Sequence, residues 1–355
     1  MDIKDDSILV FEYFTASGDR DPCIISEAEA LILSLIDDLK DFDIFLLIHN
    51  SYKYLVKDFK SINIIFIDEN LEYWLNNNSK YFKRAIFIAA ENNMNLYNLT
   101  KILEDNNVKI YNSNSNASLI CSDKFKTYEK IKNLVFQPKT AKIKIDSKKM
   151  WIDDLKDTFY NWNKSKLIIK PIYGVDCENI KIINDLNDIS NDLTKYFTID
   201  SCILVQEFIK GIDISVSLIS DGNKAIPISL NKQNIIFDGE KQFYLGGCLP
   251  FESKFREKIF EIATITVESI KGIKGFVGVD LILTNNDNVC FLEINSRFTT
   301  PYVAIKKIAN FNIGENIIDL LDENISISEL LNKISFSGKT VFKKEGNNLS
   351  LEIYK

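Results

Sequence analysis

Three side chains with oxygen donors occur close together near the C-terminal end of the sequence: Asp280, Glu293 and Asn295. Carboxylate and amide oxygens suit Mg²⁺, which usually keeps several waters and takes its other ligands from nucleotide phosphates. Each acidic residue taken singly is better interpreted as solvated at a strand end, where acidic residues are common. Glu293, however, stands inside an otherwise apolar run, where an unpaired carboxylate would be costly. The set therefore predicts a magnesium site that serves a nucleotide.

Two short apolar runs, residues 276–283 and 289–294, position these side chains. A polar stretch separates the runs, which is the pattern of a β-hairpin. The hairpin is predicted to bring Asp280 next to Glu293. Alternation along the second strand then puts Glu293 and Asn295 on the same face.

A cation and a glycine end the apolar segment 167–174. Lys170 closes the run and could neutralise phosphate oxygens, while Gly174 permits close approach of the backbone in the loop that follows. A solvated lysine at a strand end is an equally good interpretation of this segment alone.

A third segment, residues 203–213, reads as a strand that ends in polar residues and a glycine. Its exposed backbone could form hydrogen bonds with a purine edge, and Asp213 could accept hydrogen bonds from ribose hydroxyls. This segment is a weak signal on its own.

Taken in order from about residue 122 to about residue 301, these pieces resemble the ATP-grasp superfamily of carboxylate-amine ligases. The opening Ser122-Asp123-Lys124 is similar to the start of that family's ATP-binding unit. The resemblance implies that Lys124 and Lys170 are the two nucleotide-binding lysines. It also implies adenine contacts at the side chain of Gln206 and at the backbone of Glu207 and Ile209, with Asp213 on the ribose.

The resemblance further implies that Asp280, Glu293 and Asn295 hold two Mg²⁺ ions, with Glu293 bridging both and with Mn²⁺ able to substitute. Arg297 corresponds to an arginine near the transferring phosphate or the acyl phosphate. In the implied reaction, ATP phosphorylates a carboxylate and an amine attacks the acyl phosphate, so that Arg297 and Lys170 are the expected catalytic residues.

The loop at residues 174–180 departs from the family pattern, because it contains a single glycine where the family's loop is glycine-rich. We do not assign its acidic residues, Asp176 and Glu178, to phosphate contact; they are expected to face an amine substrate or solvent. Cys177 is interpreted as a small filler rather than a nucleophile.

Residues 10–18 and 293–301 resemble, more closely, the archaeal tyramine-glutamate ligases of methanofuran biosynthesis, which have a similar first strand and a similar segment after the metal ligands. This resemblance implies that L-glutamate and tyramine are the substrates and that γ-glutamyltyramine is the product. Two alternatives stay open: an ATP-grasp ligase for another pair of substrates, and a nucleotide-binding regulatory protein without turnover.

Composition restricts the remaining possibilities. The chain has 355 residues, of which 46% are hydrophobic and 26% charged, and its net charge is -7. Nucleic-acid binding is not expected, since no basic stripe is present. Lys306 and Lys307 are expected to lie on a solvated helix face. No apolar run is long enough for a bilayer and the first residues are acidic, so a cytoplasmic location is expected.

Six scattered cysteines and a single histidine, His49, argue against a zinc site or a histidine-based triad. Several cysteines stand within apolar runs, which favours reduced, buried thiols in a reducing compartment.

Alternating strand and helix patterns before residue 112 predict an α/β unit with a parallel sheet. We therefore predict an ATP-grasp fold, α+β in its ATP-binding part, with an N-terminal α/β domain at 1–117, an ATP-grasp domain at 118–320 and a C-terminal tail at 321–355. Ligands bind beyond the carboxyl ends of parallel strands. Candidates for substrate contact, or equally for a loop and helix cap, follow the first strand: Glu12, Thr15, Ser17 and Gly18. By analogy alone, a homodimer is expected.

Overall fold

A five-stranded parallel sheet forms the N-terminal part of the chain, as predicted. The computed structural model describes residues 3–22, 24–59, 62–146, 150–162, 166–174, 179–189, 197, 201–238, 241–346 and 348–354. The spatial order of the strands is β3-β2-β1-β4-β5. The central strand, β1, is buried at all five residues, which is typical of a parallel strand covered on both faces. The strands are β1 (Ile8–Glu12), β2 (Ile44–His49), β3 (Asn63–Ile67), β4 (Arg84–Ile88) and β5 (Lys109–Ile110).

Helices connect these strands and cover the sheet. The longest buries Ala28, Leu31, Ile32 and Leu35, a spacing that places them on one face against the sheet. The helices of this part are α1 (Tyr13–Ser17), α2 (Ile25–Asp38), α3 (Leu71–Asn78) and α4 (Asn95–Asp105). No helix within the described residues is both long and apolar enough to cross a bilayer.

A second, four-stranded sheet has the order β6-β9-β7-β8, and its neighbours are antiparallel. Its strands are β6 (Thr140–Lys144), β7 (Leu167–Pro171), β8 (Lys181–Ile183) and β9 (Cys202–Glu207). Helices α5 (Ser115–Ser122) and α6 (Lys124–Ile131) precede this sheet, and α7 (Met150–Trp162) lies between β6 and β7. Trp151 of α7 is fully buried in the core shared with β6, β7 and β9.

The third sheet has seven antiparallel strands in the order β14-β13-β10-β11-β12-β15-β16. The predicted hairpin is present as β13 and β14, and a second hairpin, β15 and β16, extends the sheet at the opposite edge. The strands are β10 (Gly211–Asp221), β11 (Ala225–Asp238), β12 (Lys241–Leu249), β13 (Lys274–Thr284), β14 (Val289–Asn295), β15 (Lys339–Glu345) and β16 (Asn348–Tyr354). The accompanying helices are α8 (Arg256–Glu268), α9 (Pro301–Lys306), α10 (Ile313–Leu321) and α11 (Ile327–Lys333). The predicted α/β and α+β fold is confirmed.

The expectation for Lys306 was wrong. Its side chain is only 15% exposed and forms ion pairs with Asp37 and the buried Asp38 at the end of α2. The Oδ2 atom of Asp38 also accepts hydrogen bonds from the Tyr302 hydroxyl at 2.7 Å and from the Gly314 amide at 2.9 Å. Asp38 therefore joins the N-terminal sheet layer to α9 and α10, a contact between distant parts of the sequence that a local pattern does not reveal.

We predict that Asp38→Ala destabilises the protein by roughly 3–5 kcal/mol, because it leaves Lys306 and the Tyr302 hydroxyl without their buried partner. Urea unfolding followed by circular dichroism measures this loss. Asp37→Ala is the matched control, because Asp37 pairs with the same lysine but is 60% exposed. It should cost less than about 1 kcal/mol. Equal losses in the two variants would contradict the role given to Asp38.

Candidate active site

One cavity of about 460 Å³ lies between the four-stranded and seven-stranded sheets. All ten residues that the sequence singled out for catalysis, nucleotide or metal line it: Lys124, Lys170, Gln206, Glu207, Ile209, Asp213, Asp280, Glu293, Asn295 and Arg297. Most of them lie on α6, on β7 and β9 of the four-stranded sheet, and on β10, β13 and β14 of the seven-stranded sheet. The two sheets form the two sides of the cleft. The structure therefore brings together segments that lie far apart in the sequence.

The two carboxylates of the predicted metal site face each other across neighbouring strands. Asp280 of β13 pairs directly with Glu293 of β14, and a register shift follows Asp280. Such a bulge redirects side chains, and both Leu292 and Glu293 line the cavity. Nδ2 of Asn295 donates to Oδ2 of Asp280 at 2.9 Å, so the third predicted ligand lies beside the first.

Gln233 of β11 is a polar neighbour that sequence reasoning missed. Its Nε2 donates to Oδ1 of Asp280 at 2.8 Å. The only sequence signal for it is its place in a strand that becomes adjacent to β10 after folding. Since both oxygens of Asp280 accept amide hydrogens, the carboxylate is held in one orientation.

Burial, and then the charge of Glu293, raise the pKa of Asp280 to about 7. Burial alone would also raise the pKa of Glu293, but Lys124, Lys170 and Arg297 together hold it below its usual value. The described residues contain no cluster of three or more His, Cys, Asp or Glu side chains that could hold a metal. Two partly buried carboxylates completed by the amide of Asn295 are a hard-oxygen set, and this chemistry fits Mg²⁺.

Two lysines lie beside this acidic pair. Nζ of Lys124 is 3.3 Å from Oε2 of Glu293 and donates to the carbonyl oxygen of Gly174 at 2.7 Å. Asp123 caps α6 through the amides of residues 125 and 126, and so holds Lys124 at the first position of that helix. Lys170 lies near the end of β7 and is buried, with a relative exposure of 6%. Residues 175–178 lie outside the described residues, so the interpretation of that loop stays a prediction.

The opposite side of the cavity has an apolar character. The chain leaves β9 after Glu207, and Phe208 packs edge-on against Phe237 with ring centroids 6.1 Å apart. The side-chain amide of Gln206 donates to Oγ1 of Thr140 at 2.9 Å, which fixes its orientation. Burial raises the pKa of Asp213 to about 6. Sequence reasoning did not identify the aromatic residues of this wall: Phe208, Phe237 and Tyr244.

Arg297 connects the cavity to the N-terminal sheet. Its Nε donates to Oε2 of Glu91 at 2.6 Å, and both side chains are largely buried. Glu91 follows β4, and nothing in the local sequence signals its ionic partner more than 200 residues away. The ion pair therefore fixes the predicted catalytic arginine relative to the parallel sheet.

A smaller cavity of about 50 Å³ adjoins the main one and shares Glu27 and Arg297 with it. Glu12 lines this small cavity at the carboxyl end of β1. Its carboxylate caps α1 by accepting from the amides of Phe14 and Thr15, so the alternative of a helix cap holds for this residue. Gly18, with φ +80°, is the C-cap of the same helix. Neither Ser17 nor Gly18 lines a described cavity.

Comparison with known proteins agrees with this geometry. Residues 121–301 match the ATP-grasp domain family. The chain is 33% identical over 349 residues to the tyramine–L-glutamate ligase of Methanocaldococcus fervens, which covers 97% of this chain and 99% of that protein. It is 31% identical to the tyramine–L-glutamate ligase of Methanocaldococcus jannaschii, over 97% and 94% of the two chains. The crystal structure of an ATP-grasp superfamily protein from Archaeoglobus fulgidus superposes with a TM-score of 0.69, at 23% identity and over 98% of each chain.

The chain therefore belongs to the ATP-grasp family, as the order of its motifs indicated. It is a ligase of that family, whose members use ATP and Mg²⁺.

We predict a distinct pH dependence of stability from Glu12, because burial raises its pKa from 4.5 to about 7. Between these two values the unfolded chain releases a proton that the folded protein keeps, so stability falls as pH rises. The loss should total about 3 kcal/mol, at roughly 1.36 kcal/mol for each pKa unit. Chemical unfolding at several pH values should show a steeper fall in the wild type than in Glu12→Gln, because the raised pKa values of Asp280 and Asp213 contribute to the slope in both proteins. Parallel pH profiles for the two proteins would contradict the assignment.

Proposed function

We propose that this ligase joins the γ-carboxyl group of L-glutamate to the amine of tyramine and releases γ-glutamyltyramine, ADP and phosphate. The principal observation is the cavity, which gathers a hard-oxygen cluster, two lysines and an arginine around one space. The similarity to two proteins named tyramine–L-glutamate ligase over nearly the whole chain supports this choice of substrates.

Asp280, Glu293 and Asn295 would hold two Mg²⁺ ions, with Glu293 bridging them and with Mn²⁺ able to substitute. When bound there, the ions would neutralise oxygens of the ATP phosphates. Lys124 lies next to Glu293. A phosphate group in the cavity would offer this lysine a second anionic partner, so Lys124 and Lys170 are proposed to bind the phosphates.

The base and ribose of ATP are proposed to occupy the wall that contains Phe208 and Phe237. The backbone of Glu207 and Ile209 would form hydrogen bonds with the adenine edge, and Gln206 would contact it from the end of β9. Asp213 would accept hydrogen bonds from the ribose. The presence of Asp213 in the cavity lining and its partial burial support this contact.

The chemistry proceeds in two balanced steps. A γ-carboxylate oxygen of glutamate attacks the γ-phosphorus of ATP, the bond to the bridging oxygen breaks, and ADP leaves. The neutral amine then attacks the acyl carbon, phosphate leaves with its oxygen, and the amine loses a proton. Arg297 would steady the transferring phosphoryl group and the negative charge of the tetrahedral intermediate. Its ion pair with Glu91 holds the guanidinium in a fixed orientation.

Further assignments accompany this function. The division into domains at 1–117, 118–320 and 321–355 and the formation of a homodimer stay predictions. The described cysteines are free thiols, which supports the proposed location in a reducing cytoplasm.

Phosphate release in the presence of ATP and Mg²⁺ tests the proposal, with mass spectrometry of the product. Release is expected with L-glutamate and tyramine together and not with either alone, and the product should be the γ-linked amide. Turnover of a different amino acid or amine would support the assignment as a ligase but reject these substrates. No turnover with any pair in a broad panel would favour a nucleotide-binding regulatory protein.

Two variants in the β13–β14 hairpin test the proposed metal site in the same assay. Glu293→Gln should lower kcat by at least roughly 100-fold, because it removes a charge that the metal ions need. Asp287→Asn is the matched control. Asp287 lies in the exposed turn of the same hairpin with φ +61°, a conformation that asparagine tolerates. Its activity should equal that of the wild type.

A further inference from the structure

Glu27 occupies the wall between the two cavities. It lies in the first turn of α2, and it lines the main cavity together with Arg297 and Thr300. It also lines the small cavity, which Glu12 and Asn92 border from the other side. A group bound at Glu27 can therefore occupy the small cavity while the rest of its molecule extends past Arg297.

The Glu27 carboxylate is held from two directions. Its Oε1 accepts from the Thr300 hydroxyl, and its Oε2 is 3.1 Å from Nζ of Lys344. The Glu27 and Lys344 side chains are 12% and 15% exposed. A carboxylate offers about four acceptor sites, so these two contacts leave acceptor capacity for a ligand. Lys344 belongs to β15, outside the residues that match the ATP-grasp domain family.

The groups around the small cavity suit a ligand that donates hydrogen bonds to carboxylate and amide oxygens. The buried side chains of Glu12 and Glu27 line the small cavity. Arg297 also lines it and pairs with the buried Glu91, while Lys344 pairs with Glu27. Two buried oxygens in this region, Oε1 of Glu91 and Oδ1 of Asn92, have no hydrogen-bond partner. Buried acceptors of this kind are costly when unsatisfied. A bound group with a positive charge and several N–H donors would pair with the carboxylate of Glu27 and donate hydrogen bonds to the unsatisfied oxygens.

We propose that Glu27 and the small cavity form the subsite for the α-ammonium group of the amino acid substrate, and that Lys344 of the C-terminal hairpin positions Glu27 for this contact. This inference rests on the proposed function and specifies how its substrate is oriented. The small cavity, of about 50 Å³, has room for an ammonium head group.

The subsite explains why a side-chain carboxylate reacts. With the α-ammonium held at Glu27, the side chain of glutamate extends along the main cavity past Arg297 towards Asp280 and Glu293. The attacking amine is a poor occupant of the same subsite, because a carboxylate partner would keep it protonated and thus without a free electron pair. The subsite therefore selects the amino acid and not the amine.

Steady-state kinetics with L-glutamate and with glutarate, which lacks the α-ammonium group, test this inference. The wild type should prefer L-glutamate. Glu27→Gln should raise KM for L-glutamate roughly 10- to 100-fold, the effect of losing a charged hydrogen bond. KM for glutarate and for ATP should stay within about twofold. Lys344→Met should shift the preference in the same direction by a smaller factor, because it acts through Glu27.

Lys343→Met is the matched control. Lys343 is the preceding residue of β15, and it forms an exposed ion pair with Glu352 at 3.2 Å. This variant should leave the preference for L-glutamate over glutarate unchanged. A purely structural ion pair between Glu27 and Lys344 would change the thermal stability of the variants without changing that preference.

Equal increases in KM for L-glutamate and glutarate, or an increase for tyramine alone, would overturn the inference. If the wild type turned over neither acid, the proposed function would fail, and calorimetric binding of the two acids to wild type and Glu27→Gln would decide the subsite separately. Tighter binding of L-glutamate that is lost in Glu27→Gln would support the subsite. Equal binding of both acids to the wild type would reject it.

Discussion

The rest of the site depends on one constraint: two partly buried carboxylates lie opposite each other on neighbouring strands. Asp280 and Glu293 face the same cavity, and their mutual repulsion has to be offset. Cations from α6, from β7 and from the segment after β14 lower the pKa of Glu293, while amides of Gln233 and Asn295 hold Asp280. Divalent metal ions and the phosphates of a nucleotide fit this arrangement of charges.

Each of the three sheets contributes different residues around that pair. The seven-stranded sheet supplies the carboxylates, and the four-stranded sheet supplies the buried Lys170. The segment after β4 of the parallel sheet supplies Glu91, which orients Arg297. The C-terminal hairpin completes the edge of the seven-stranded sheet and brings Lys344 to Glu27. A region without an evident motif therefore reaches the wall of the cavity at Glu27.

Local patterns predicted much of this arrangement. Alternation along 289–295 was enough to place Glu293 and Asn295 on one face, and the parallel sheet followed from strands separated by amphipathic helices. The partners of Arg297, Glu27 and Lys306 were not predicted, because each ion pair joins residues that only tertiary packing brings together. Gln233 was missed for the same reason. Its role depends on strand order within the sheet, which periodicity does not encode.

Transfer of oxygen from the carboxylate to phosphate tests the central claim most directly. L-Glutamate labelled with ¹⁸O in its γ-carboxylate would be converted with ATP and tyramine, and the released phosphate analysed by mass spectrometry. Activation as an acyl phosphate predicts that one labelled oxygen from each glutamate appears in phosphate and that the other stays in the amide. Unlabelled phosphate accompanying formation of the amide would contradict the account.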